Sequence, residues 1–185
     1  MRVEKNKSEK HIVKILQKNE VVGLFQGSSE AGPRALGNRS LIMSPKNKSH
    51  KKILNNLKGR ELFRPLAASV LEDQAKNWFN MLNMDSSPYM SFSFKIKQNK
   101  KNKVPAIVHV DDSCRVQTVN KDQNKNFYNL ILEFYKKTKV PLLINTSFNS
   151  KDEPIVETVQ EAIDCCKKIK VKFIYFPQAK ILVTL

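Results

Sequence analysis

Val140-Pro-Leu-Leu-Ile144 runs directly into Asn145-Thr146-Ser147-Phe148-Asn149, and this stretch decides the fold. The apolar run reads as a buried strand, and the polar side chains after it read as the strand's open end. Just upstream, Phe127, Leu130, Ile131 and Phe134 recur at helical spacing across Asn126–Lys137. A helix that returns into an apolar strand is the building unit of an α/β sheet, and ligands collect at such strand ends. The competing reading is a loop capped by Asx and Ser/Thr turns. Ser147 lacks a convincing histidine–acid pair, so it reads as a ligand-binding hydroxyl, not a nucleophile.

Outward from there, Val21–Phe25, Leu41–Met43, Leu66–Leu71, Phe173–Phe176 and Ile181–Val183 predict strands, and Ser49–Leu57 predicts a basic helix closing near Gly59. Asp73–Phe79 and Thr158–Lys170 read as helices, and Phe92, Phe94 and Ile96 share one face of a further strand. Pro105–Val110 and Arg115–Val119 are expected as strands flanking an acidic turn at Asp111-Asp112, and Lys97–Lys103 as the most flexible excursion. Residues 8–18 predict an amphipathic helix with Ser8 as its cap. No repeat and no linker interrupts the pattern. The expected architecture is one α/β domain, a twisted mixed sheet flanked by helices over residues 21–185, after an N-terminal helix and leader over residues 1–20.

The 185 residues carry 33 Lys+Arg against 17 Asp+Glu, a formal charge of +16, and 41% hydrophobic content argues against wholesale disorder. No segment approaches ~20 consecutive apolar residues, and the charged start offers no apolar signal region, so no membrane span is expected and the cytoplasm is. Cys114, Cys165 and Cys166 form no disulfide framework or zinc spacing, and His11, His50 and His109 do not cluster. No protein-held metal is expected. The distribution of charge says more than its sum. The chain has 27 Lys but only 6 Arg, and all five glycines fall between residues 23 and 59, with Arg34, Arg39, Arg60 and Arg64 in or just past that window.

In the first polar segment, Gly27–Ser40, Gly32-Pro33 predicts a turn and Gly37 a close backbone approach to a ligand. Arg34, Arg39 and Ser40 then suit a phosphate or carboxylate, although the glycine spacing matches neither nucleotide-binding fingerprint. In the second, Lys58-Gly-Arg60-Glu-Leu-Phe-Arg64-Pro65, the cations either complement a helix dipole or neutralise a polyphosphate, with Phe63 and Pro65 expected to hold Arg64 rigid. In the third, Arg115 and Gln117 share one strand face, and His109 fits a general base or a hydrogen-bonded structural histidine equally.

The strings Gly32-Pro-Arg-Ala-Leu-Gly-Asn-Arg-Ser40, Phe63-Arg-Pro65, His109-Val-Asp111, Arg115-Val-Gln-Thr-Val119, Asn145-Thr-Ser-Phe-Asn149 and Glu153-Pro-Ile-Val156, in that order, resemble the C-terminal domain of the O-carbamoyltransferase family. That family includes nodulation-factor and antibiotic-tailoring carbamoyltransferases. The resemblance implies a fold like threonylcarbamoyl-adenylate synthase (YrdC-like) with an open, positively charged cavity. It implies that ATP and carbamoyl phosphate bind there, with Mg²⁺ carried on the substrate phosphates, and that carbamoyl-adenylate forms as pyrophosphate and phosphate leave. A separate actin-like domain or subunit with a histidine-bound metal then passes the carbamoyl group to a hydroxyl. By position Lys58, Arg64 and Arg115 match the family's phosphate-binding cations, expected here as the catalytic set. Ser147 and Asn149 match its polar loop. Arg34, Arg39, Ser40, Arg60, His109, Asp111, Gln117, Asn145 and Thr146 complete the expected ATP-binding set.

Three departures stand out. Asp112-Ser113-Cys114 replaces the family's Gly-Thr-Ala, adding negative charge near Arg115, while Ala31 stands for a common aromatic and Asp152 for a common glycine. The leading expectation is thus a carbamoyl-adenylate-forming half-enzyme working with a partner that carries the actin-like domain. The alternatives are a nucleotide- or nucleic-acid-binding module and a truncated, inactive subunit. Nucleic acid is disfavoured because aromatic residues do not interleave with the basic ones.

Overall fold

The computed structural model describes residues 1–185. In chain order the elements are β1 (Arg2–Glu4), α1 (Glu9–Gln17), β2 (Val22–Phe25), β3 (Arg39–Met43), α2 (Ser49–Leu57), β4 (Ala67–Leu71), α3 (Glu72–Trp78) and β5 (Phe79–Asn80). There follow β6 (Phe92–Ile96), a 3₁₀ helix (Gln98–Lys103), β7 (Ser113–Val119), α4 (Lys125–Thr138), β8 (Leu142–Ser147), α5 (Val159–Ile169), β9 (Phe173–Phe176) and β10 (Ile181–Thr184). The strands form one ten-stranded mixed sheet in the order β1-β10-β9-β2-β3-β8-β4-β7-β6-β5.

Local chemistry fixes the helices. The Asn124 side chain accepts the Phe127 N–H at the start of α4, and Phe127, Leu130, Ile131 and Phe134 bury its inner stripe. At α5 the Thr158 hydroxyl accepts the Glu161 N–H at 3.2 Å while the Glu161 carboxylate accepts the Thr158 N–H at 3.3 Å, a reciprocal capping box. Gly59, at φ +58°, ends the turn after α2, a conformation glycine adopts without a Cβ penalty.

Strand β8 is the hub. It lies antiparallel to both β3 and β4, so Leu142, Leu143 and Ile144 are buried completely. Because β4 and β7 run parallel, the C-terminal end of β8 meets the N-terminal ends of β3, β4 and β7 at one sheet edge. Ser40 sits opposite Ser147, Ala67 opposite Asn145, and Ala68 opposite Val116. The polar segments of the sequence therefore converge because of strand register.

Several expectations change. Residues 105–110 form turns, not a strand: Pro105 offers no N–H, and Val104, Ala106 and Ile107 plug into the core around it. Residues 98–103 form the 3₁₀ helix in place of a flexible loop, held by Lys100 over the Trp78 ring at 5.1 Å and by Lys101 paired to Asp112 at 2.7 Å. Gly37, at φ +110°, makes room for Phe127 and not for a ligand, since an added Cβ would lie 2.3 Å from that ring. The sequence pattern gave no sign of β1, which pairs with β10 at the sheet edge, or of the short β5.

Candidate functional site

The edge where β8 ends holds a recess of about 90 Å³ lined by Arg34, Arg60, Arg115, Asn145, Thr146 and Ser147, with Pro33, Pro65 and Met90 among the apolar neighbours. A shoulder of about 210 Å³ adjoins it through Arg60 and Ser147 and carries Lys58, Arg64, Asn149 and Lys151. The carboxylates on the shoulder are Glu61 and Asp152.

Each cation is aimed by a different part of the fold. Arg60 follows the turn at Gly59, and its Nε donates to Asn55 Oδ1 at 2.7 Å. Asn55, fully buried in α2, also donates to the carbonyls of Leu62 and Arg64 at 3.0 Å each, so one amide clamps the whole Arg60–Arg64 loop. Arg115 projects from β7 with its Nε buried and unpartnered. Arg34 rides on a loop organised by Glu30, whose Oε1 accepts the N–H groups of Leu36 and Asn38 at 2.8 and 2.7 Å. Asn145 Nδ2 donates to the Ala35 carbonyl at 3.0 Å and Gln117 Nε2 to the Leu36 carbonyl at 2.8 Å, fastening this loop onto the sheet. Ser69 joins them, donating to Gln117 Oε1 at 2.6 Å and accepting from Asn145 at 2.9 Å.

Lys58 is 5% exposed and donates to the Ser147 carbonyl at 2.6 Å, the Ser147 hydroxyl at 3.1 Å and Asn149 Oδ1. Burial lowers its pKa to about 7, and the charge of Arg60 pushes in the same direction. Burial also lowers the pKa of Arg60, with Arg64 and Arg115 adding to the effect, and lowers that of Arg115, with Arg34 adding there. Arg34, Arg60, Arg115 and Lys58 form no ion pair. The recess thus gathers like charges that oppose one another, which is the electrostatic condition for holding a polyanion.

Other expected residues lie elsewhere. Arg39 is buried away from the recess: its guanidinium donates to the carbonyls of Gln26, Gly27 and Glu157 and lies 3.6 Å over the Phe25 ring. Ser40, also buried, accepts the Gly37 N–H at 3.0 Å. Both secure the loop and present nothing to a ligand. Arg64 is not held rigid by its neighbours. It is half-exposed and pairs with Glu61 at 2.5 Å, while Phe63 is 77% exposed. His109 has both ring nitrogens engaged, with the Leu66 carbonyl at 3.0 Å and the Ser113 hydroxyl at 3.3 Å, as a structural histidine would. Asp111 accepts the N–H and hydroxyl of Ser113 and closes the turn before β7, which lowers its pKa to about 2. Asp112 pairs with Lys101, so its negative charge is neutralised by a lysine and not by Arg115.

The sequence reading missed Asn55 and Ser69. Ser69 carried a signal, a lone hydroxyl within the apolar run Leu66–Leu71, whereas Asn55 stands beside Asn56 and only burial tells the two apart.

The fold defines an α/β domain, a mixed sheet flanked by helices, with a multi-arginine recess at one strand edge. Residues 13–182 match the family described as Carbamoyltransferase C-terminus, and the chain belongs to that family. It is 43% identical over 145 residues to nodulation protein NolNO of Sinorhizobium fredii, an alignment covering 77% of this chain and 21% of that protein. The chain thus spans about a fifth of that relative's length. The fold is similar to part of full-length HypF, solved in a phosphate- and nucleotide-bound form (TM-score 0.64, 17% identity, 98% of this chain and 22% of that one). It is likewise similar to part of P. abyssi Sua5, solved with L-threonine (TM-score 0.63, 12% identity, 93% of this chain and 47% of that one). No helix is long and apolar enough to cross a membrane.

Proposed function

We propose that the recess and its shoulder bind ATP and carbamoyl phosphate and form carbamoyl-adenylate, for transfer to a hydroxyl acceptor by an actin-like domain or subunit. The observation that carries this reading is the gathering of Arg34, Arg60 and Arg115 around one recess with no carboxylate paired to any of them. Family membership and a fold neighbour solved with phosphate and nucleotide support it.

Water cleaves carbamoyl phosphate to carbamate and phosphate, and a carbamate oxygen then attacks the α-phosphorus of ATP and displaces pyrophosphate. Such a reaction needs charge neutralisation and alignment more than covalent help from the protein. Arg34, Arg60 and Arg115 neutralise the phosphates. Lys58 holds Ser147 and Asn149 in place and takes up a proton as negative charge arrives. The cleft donors are N–H groups and amides, and three or more His, Cys, Asp or Glu side chains gather nowhere in the chain. That donor set suits Mg²⁺ carried in on the phosphates, where it screens their charge, better than a protein-built cage.

The test is pyrophosphate release from ATP plus carbamoyl phosphate, by this chain alone and with an actin-like carbamoyltransferase partner. The reading expects release that depends on both substrates and disappears in Arg60→Ala and Arg115→Ala. Absence of release under both conditions refutes it.

A further inference from the structure

Glu153-Pro-Ile-Val156 stands out in the sequence, yet neither the recess nor the shoulder includes any of its residues. Glu153 instead lines a separate cavity against α5 and pairs there with Lys168, its side chain 43% exposed. The residues just before it, Asn149, Ser150, Lys151 and Asp152, form one wall of the shoulder. The main chain of this wall does little to hold its own shape, since residues 150–155 make no well-formed main-chain hydrogen bond. Three side-chain bonds shape it, and all three end on Glu153. Asn149 Nδ2 donates to the Glu153 carbonyl at 2.6 Å, the Ser150 hydroxyl donates to Glu153 Oε2, and Lys168 donates to Glu153 Oε1. With its Nδ2 held there, the Asn149 amide turns its Oδ1 toward the shoulder. That oxygen accepts from Lys58 and, at 2.7 Å, from the Ser147 hydroxyl.

We propose that Glu153 is a positioning residue of the anion site: it pins the loop 149–153 through Ser150, fixes the Asn149 amide, and through that amide places Lys58 Nζ. The proposal rests on the reading of the shoulder as part of a polyphosphate site. Ser150 is 4% exposed, so its hydroxyl has little water to turn to once the carboxylate is gone. A carboxylate on the shoulder itself would repel phosphate. Facing α5, with Lys168 upon it, Glu153 gives the loop its acceptors and keeps its own charge out of the cleft.

The full chain should be titrated with ATP by calorimetry as the wild type, Glu153→Ala, Glu153→Gln, Ser150→Ala, Lys58→Met and the Glu153→Ala/Lys58→Met double variant. Glu153→Ala should weaken ATP binding roughly tenfold, the order of one charge-assisted contact. Ser150→Ala cuts the same bond and should reproduce most of that loss. Glu153→Gln should restore most of the affinity, because its amide oxygen still accepts the Ser150 hydroxyl and the exposed pair with Lys168 is worth little. Once Lys58 is methionine, Glu153→Ala should cost little further, a coupling that a general loss of stability would not produce. Where Glu153→Ala does not fold, Ser150→Ala and Glu153→Gln test the same bond. Unchanged affinity in Glu153→Ala or in Ser150→Ala, no rescue by Glu153→Gln, or losses that add fully in the double variant overturn the positioning role and leave the recess standing. Failure of the wild type to bind ATP overturns the recess and the positioning role together.

Discussion

On the outer surface, Lys136 pairs with Glu133 at 2.6 Å, Lys76 with Asp85 at 2.5 Å and Lys95 with Asp111 at 3.5 Å. In the recess, Arg34, Arg60 and Arg115 share a wall and have no acidic partner, and burial together with neighbouring arginines lowers the pKa of Arg60 and of Arg115. Both regions are basic, yet only one stores electrostatic work. The surface lysines are hydrated and screened, so each pair there is worth ~0–1 kcal/mol. The cleft cations are partly desolvated and mutually opposed, so an arriving anion gains from all of them at once. A net charge of +16 is mostly the first kind. The function is read from the second.

The comparison breaks most sharply at the arginines. Arg60→Ala or Arg115→Ala should weaken ATP binding roughly 10–150-fold, the loss expected for charge-assisted hydrogen bonds of ~1.5–3 kcal/mol, measured by calorimetry at fixed salt. If either variant binds ATP as the wild type does, the cleft is no different from the surface.

Lys58 separates the regions by pH. Its pKa in the free protein is about 7, against an ordinary 10.5, so the folded state holds fewer protons than the unfolded chain between those values. Stability of the free protein should therefore rise from about pH 7 to about pH 9, and the rise should shrink in Lys58→Met, read by thermal melting. A bound polyphosphate favours the ammonium form, so ATP affinity should fall over the same interval in the wild type and stay nearly level in Lys58→Met. A surface lysine substituted in the same way should alter neither profile.

Asp152 offers a smaller effect at the border of the two regions. It sits at φ +59° on the shoulder, a left-handed conformation that suits glycine. Asp152→Gly should stabilise the protein by about 0.5–1 kcal/mol in denaturant melts and tighten ATP binding a few-fold by removing a negative charge. At the far end, Lys136→Ala should change stability by about 0.5 kcal/mol or less and leave ATP affinity untouched.

The sequence made the strand–helix alternation and the polar strand ends legible because apolar periodicity carries them directly. The family's glycine positions were informative too: Asp112 and Asp152, which stand at two of them, have φ values of +65° and +59°. What it did not carry was the direction of each cation. Arg34 and Arg39 lie five residues apart in one motif and look alike as text. Register separates them, since Arg39 lies opposite Phe25 and folds its guanidinium onto that ring, while Arg34 stays on a loop above the sheet edge. Arg64 departs from its expected rigidity for a similar reason. Lys58 turns inward beneath Ser147, and Arg64 remains in solvent beside Glu61. The stretch 105–110 was misread because a short apolar run looks the same whether it pairs with strands or plugs a turn into the core.

The register of β8 also bears on how the protein reaches its working form. The recess draws on Arg34, Arg60, Arg115 and Ser147, which meet only after β8 has inserted between β3 and β4 and β4 has paired with β7. These contacts are distant along the chain, so loop closure must precede them and no local fragment foreshadows the site. On the proposed reading, a polyphosphate would bind only the assembled sheet, and its binding would add RT ln(1 + [L]/Kd) to the native state alone. On that reading, abundant nucleotide would weight the balance between the folded and unfolded chain.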